Sequence, residues 1–177
     1  MIIHTLGPKE TDSNAAAQYF VQNILKQSAK IALHPSFEEL FTKMEQFGGD
    51  FLLIPTAFSS KTLNLSWGQW HYRNLEQLIL KDAFIFKLGE MVLLKNRQRP
   101  TGIAYTHAAL ADLLQQYVPQ AKIKCTASKY LAYQKYLIDG QFVLTNEKNI
   151  KLQSNEKIIK RFSPRMIWAV YQIKENQ

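Results

Sequence analysis

The stretch Leu6-Gly7-Pro8-Lys9-Glu10-Thr11-Asp12-Ser13-Asn14-Ala15-Ala16 decides how this chain is read, because it sets a turn of small and polar residues between two apolar patterns of different period. Ahead of it, Met1-Ile2-Ile3-His4-Thr5-Leu6 is short, apolar and β-branched, which predicts a strand. Behind it, Ala15, Ala16, Tyr19, Phe20, Ile24 and Leu25 recur at helical spacing. Thr11, Asp12 or Ser13 can each cap that helix by accepting a bond from an orphan N–H. Strand, turn and helix in this order aim backbone N–H groups, hydroxyls and the positive end of the helix dipole at one point, which suits a carboxylate or phosphate. The same hydroxyls serve equally well as plain caps.

Working outward, residues 30–33 read as a second strand, and Ser36-Phe37-Glu38-Glu39 is a capping-box pattern opening a helix through Leu40, Phe41 and Met44. A third strand over 50–54 is stopped by Pro55. Strands alternating with helices predict a parallel sheet with crossover helices and ligands at the carboxyl ends of the strands. Those ends fall at 7–13, at His34-Pro35-Ser36 and at 55–60. Residues 75–86 and 90–95 read as extended crossings, 101–105 as a strand, Thr106-His107 as the start of a helix through Leu114 and Tyr117, and 122–126 as another strand. A helix over 128–138, a short strand over 140–144 and two late strands over 157–161 and 166–173 complete the pattern. The expected architecture is α/β with two lobes, mixed sheets, flanking helices and an interlobe cleft, like type 2 periplasmic-binding proteins. Residues 1–75 with 155–177 make the first lobe and 76–154 the second.

With 46% hydrophobic and 20% charged residues over 177 positions, the chain has enough apolar material for two small cores. It lacks the apolar run that a bilayer span needs and the basic, apolar leader of a secreted protein, so the expected address is cytoplasmic, with no membrane partner. One cysteine, Cys125, rules out an internal disulfide and is expected to be half-buried, and histidines at 4, 34, 71 and 107 show no metal-ligand spacing. The formal charge of +8 is spread along the chain rather than gathered in a stripe, which argues against nucleic acid and fits a small anion or a plain soluble surface.

The opening motif, with Ser36-Phe37-Glu38-Glu39-Leu40-Phe41, Ile54-Pro55, Thr106-His107 and Cys125-Thr126-Ala127 in the same order, resembles prephenate dehydratases over nearly the whole chain. Dehydratases carry Thr-Arg-Phe on a late strand and Glu-Asn-Ser after Val-Pro-Ile; this chain has Met166-Ile167-Trp168 and Thr56-Ala57-Phe58 there. Isoleucine in place of that arginine offers no fork for a carboxylate. His4-Thr5-Leu6-Gly7-Pro8, Leu33-His34, Pro55-Thr56-Ala57-Phe58, Leu144-Thr145-Asn146-Glu147 and the ending over 164–171 are more similar to the non-aromatising prephenate decarboxylases of bacilysin-type pathways.

The resemblance implies a cofactor-independent, metal-free lyase that holds a dianionic cyclohexadienol acid, releases carbon dioxide and delivers a proton to the ring. It also implies the catalytic domain alone, without an amino-acid-binding regulatory domain, and leaves a homodimer open. His107 and His34 are the expected proton donors, since histidine titrates near neutrality. Thr11 and Ser13, with Thr106 at the second lobe's expected helix start, are placed to bind carboxylates, with Thr56 and Thr126 beside them and Phe58 and Trp168 walling the ring. Glu10 stands where dehydratases have glycine and adds negative charge beside the cradle. The alternatives are a non-catalytic small-anion-binding module on the same fold and a divergent dehydratase.

Overall fold

The computed structural model describes residues 1–60, 62–126 and 128–175, so Ala127 of the Cys125-Thr126-Ala127 triplet lies outside the described residues. The chain divides into two compact units, Met1–Lys87 with Arg165–Gln177, and Leu88–Pro164.

In the first unit, β1 (Ile2–Leu6), α1 (Asp12–Tyr19, continued by a wider turn over Phe20–Leu25), β2 (Lys30–His34), α2 (Phe37–Thr42) and β3 (Phe51–Pro55) follow the predicted alternation. Short strands β4 (Ser59–Ser60) and β5 (Leu65–Ser66) form a hairpin before α3 (Trp67–Arg73), and β6 (Leu78–Lys87) ends the segment. The second unit holds β7 (Met91–Asn96), β8 (Ile103–His107), α4 (Ala111–Tyr117), β9 (Lys122–Thr126), α5 (Lys129–Asp139), β10 (Phe142–Asn146) and β11 (Glu156–Phe162). The last strand, β12 (Arg165–Ile173), returns to the first unit.

The first sheet has the order β2-β1-β3-β12-β6. Its β2-β1-β3 half is parallel, as expected, but β12 runs antiparallel to both β3 and β6, so the sheet is mixed. The second sheet, β11-β7-β10-β8-β9, is mixed in the same way. Boundaries between the units fall after Lys87 and after Pro164, not at 75 and 155. The reason is pairing: β6 hydrogen-bonds to β12 along its length, whereas β11 bonds to β7.

Alternation splits each sheet into two packed faces. In the first, Leu52, Ile54, Ala169 and Tyr171 pack with Phe37, Leu40, Phe58 and Trp70 under α2 and α3. His4, Leu6 and His34 share that face, because Leu6 opposes His34 and His4 opposes Ala32. Thr5, Leu53, Val170, Trp168 and Phe84 lie on the other, where Phe20 stacks on Phe84 at 5.5 Å. In the second sheet, Val92, Leu94 and Val143 pack with Tyr133 and Tyr136 of α5, while Leu93, Ala104 and Leu144 pack with Leu114 of α4. No helix among the described residues is long and apolar enough to cross a membrane.

Candidate functional site

At the carboxyl end of β1 the chain turns into α1 as the sequence predicts, with Thr11 at the cap. Its Oγ1 accepts from the Asn14 N–H at 3.2 Å and lies 2.9 Å from both the Leu6 and Pro8 carbonyls, to which its hydroxyl donates. Asn14 closes the loop from inside by donating to the Lys9 carbonyl at 2.8 Å. Thr11 is therefore occupied in shaping the turn, and the donors left to an anion are the first-turn N–H groups and the buried Ser13, 4% exposed. Gly7 is needed here: a Cβ would meet the Leu33 Cβ at 3.0 Å, while the Gly7 N–H donates to the His34 carbonyl at 2.8 Å. Glu10 is exposed at the rim.

On β12, Ile167 is 49% exposed and its carbonyl accepts from the Thr56 N–H at 3.0 Å and hydroxyl at 3.2 Å, so Thr56 ties the end of β3 to β12. Trp168 is 1% exposed and opposes Pro55 at the head of the sheet, and its indole N–H, fully shielded, finds no acceptor among the described residues. A buried unpaired donor costs about 1–3 kcal/mol, so this one marks a place where an acceptor is wanted. Phe58 does not share a wall with it. Phe58 packs edge-on against Phe37 and Phe41 in the cluster that holds Ala169 and Tyr171, which alternate with Trp168 on β12 and so face the other way.

His34 ends β2, half-buried, and its Nε2 lies 2.9 Å from Nδ1 of His4. His4 is buried, with its ring stacked on Phe47 at 4.0 Å and its Nε2 3.5 Å from the Asp50 carboxylate. That separation is at the long limit of a hydrogen bond, and the carboxylate acts on His4 both through this contact and through its charge. Asp50 is itself anchored by the Ile2 N–H at 2.8 Å. Burial pushes both imidazoles below the usual histidine range, with Asp50 opposing this at His4; at His34 the His4 ring and Lys43 add to the lowering and Glu39 opposes it. Neither His4 nor Asp50 is among the site residues expected from the sequence. The signal was there, since a histidine in the middle of an apolar strand must find a partner.

In the second unit Thr106 and His107 end β8, and His107 caps a tight helical turn over Ala108–Leu110 that leads into α4 at Ala111, so the helix starts where the sequence places it. Pairing with β9 through His107 and Thr126 keeps these residues extended. Thr106 is fully buried and donates to the Leu144 carbonyl at 3.0 Å, so it clasps β8 to β10 and is not free for a ligand. His107 Nδ1 accepts from the Ala109 N–H at 3.3 Å, and burial, with Lys129 nearby, lowers its pKa. Thr126 sits beside it, its Oγ1 2.8 Å from the Ser128 carbonyl, where α5 starts. Cys125 is exposed rather than half-buried. No cluster of metal-ligating side chains occurs among the described residues.

The two-unit α/β fold with mixed sheets is that of prephenate dehydratases and of periplasmic binding domains. Prephenate dehydratase from Staphylococcus aureus superposes with a TM-score of 0.58 at 16% identity, covering all of this chain and 67% of that one. The Arthrobacter aurescens enzyme, solved in complex with L-Phe, gives 0.54 at 13% identity over 100% of this chain and 63% of its own. The periplasmic VFT2 domain of BvgS from Bordetella pertussis gives 0.53 at 16% identity over 98% and 80%. The chain thus spans about two thirds of the dehydratases' length, and at these identities the likeness is one of fold. No protein-family profile matches the chain. No curated protein matches it either.

Proposed function

We infer that the protein is a cofactor-independent lyase that decarboxylates prephenate, or a close cyclohexadienol diacid, without aromatising it, as a cytoplasmic step of a bacilysin-like pathway. The observation that carries this reading is the head of β12. Trp168 offers a shielded N–H with no acceptor among the described residues, and beside it Ile167 stands where the resembled dehydratases carry arginine. A site with a neutral donor and no guanidinium still takes a carboxylate through the first-turn N–H groups of α1 and Ser13. It loses the bidentate grip of the arginine, and none of Met166, Ile167 and Trp168 can protonate a departing hydroxyl.

The chemistry asks little of the protein. As the ring carboxylate leaves as carbon dioxide, its bonding electrons move into the diene, a proton arrives at a ring carbon, and the ring hydroxyl stays. One proton is consumed per turnover, and an imidazolium of His34 or His107 can supply it. Incubating the purified protein with prephenate at neutral pH, with ultraviolet spectra and carbon dioxide release recorded together, tests the assignment. Carbon dioxide with loss of prephenate and no phenylpyruvate is the expected result. Phenylpyruvate would make the protein a dehydratase, and a thermal shift without turnover would make it the small-anion-binding module whose fold the periplasmic domains share.

A further inference from the structure

The geometry points to a relay of three groups in the first unit, Asp50 to His4 to His34, in which Asp50 and His4 are positioning residues that decide which nitrogen of His34 carries its proton. The logic is one of lone pairs. His4 Nε2 is buried and faces the Asp50 carboxylate, 3.5 Å away, so a bare nitrogen there would set lone pair against lone pair. The proton of neutral His4 therefore sits on Nε2, which leaves Nδ1 bare. At 2.9 Å that bare nitrogen must accept from His34, so His34 holds its own proton on Nε2 and presents Nδ1 as its basic nitrogen. Phe47, stacked on His4, keeps the first ring from turning, and the Ile2 N–H keeps the carboxylate in place.

The charged groups around His34 outside the relay are Glu39 and Lys43, which pair with each other at 2.6 Å. Asp50 reaches His34 through His4, and a proton taken up by the pair enters and leaves at His34 Nδ1. That makes His34 a single-proton carrier at the carboxyl end of β2. Its use as the acid of decarboxylation rests on the proposed function, whereas the tautomer assignment does not.

Asp50→Asn supplies a sharp test. The Ile2 N–H needs the amide oxygen, so the NH2 group is turned toward His4, where a proton on Nε2 would set N–H against N–H. His4 must then carry its proton on Nδ1 and donate to His34, which moves the His34 proton to Nδ1. Nitrogen-15 spectra of the full chain labelled at histidine read both rings. The expected result is Nε2–H on each in the parent and Nδ1–H on each in Asp50→Asn. Unchanged tautomers in that variant, or a mixture at His34 in the parent, would overturn the relay. Should Asp50→Asn not fold, His4→Phe keeps the stack and removes the acceptor. His34 should then relax to a mixture of tautomers, and a His34 still locked would equally refute the proposal. With prephenate, Asp50→Asn should lower kcat by about 100-fold or more and leave KM nearly unchanged. Inverted tautomers without parent turnover would spare the relay and end the decarboxylase reading; turnover with unmoved tautomers would do the reverse.

Discussion

The carboxyl ends of the two sheets each present a histidine, and the two are held differently. His34 leans on a second buried ring with a carboxylate behind it. His107 accepts from the nearby Ala109 N–H and has Lys129 as its charged neighbour. The first arrangement defines a proton's position, whereas the second mainly closes a turn. The same contrast holds one layer down, where the Thr11 hydroxyl touches three backbone groups and Ser128 caps α5 through the Leu131 N–H at 3.1 Å.

The hardest blow to this contrast is a pair of alanine variants. His34→Ala should cut decarboxylation by roughly 10²–10⁴-fold and His107→Ala by less than about tenfold, read as kcat; equal losses would dissolve the distinction. Tyr136→Phe, in the second unit, removes the hydroxyl that donates to the buried Glu156 carboxylate at 2.8 Å and should destabilise the protein by about 1–3 kcal/mol in denaturant melts, with turnover unchanged. Thr11→Ala should cost about 2 kcal/mol and Ser128→Ala about 1, because the first loses the hydroxyl's bond to the turn carbonyls as well as a cap. Trp168→Phe should be nearly neutral in stability, since it deletes an unpaired donor, yet should raise KM by about tenfold if that N–H meets the substrate.

Acidification sharpens the comparison from another side. His4 and His34 have folded values below the ordinary 6.5, so the unfolded chain binds more protons just under that pH. Their contribution to stability is full above about 6.5 and is lost as pH falls toward the folded values, a slope that His4→Phe should flatten in pH-dependent melts. Turnover needs the protonated form, so it should rise as the pH falls through the lowered His34 value.

Much of the fold was legible. Capping residues Thr11, Ser36 and Ser128 mark helix starts where they were expected, and periodicity located the three parallel strands. What local pattern could not supply was pairing. The placement of β12 between β3 and β6 depends on hydrogen bonds between strands far apart in sequence, and it moved both boundaries between the units. The same limit hid the relay: His4, His34 and Asp50 meet only through the β1-β2 register and the turn into β3. Thr106 misled for a related reason, since a threonine at a strand end looks available until the neighbouring Leu144 carbonyl is known to claim it.

Because the strand at 165–173 lies inside the first sheet, that sheet lacks an interior member until residue 173 has left the ribosome. The unit over 88–164 is contiguous and has every one of its strands in hand by then. Synthesis therefore leaves residues 1–87 waiting with exposed strand edges while 88–164 closes up, and the first sheet is sealed after the second.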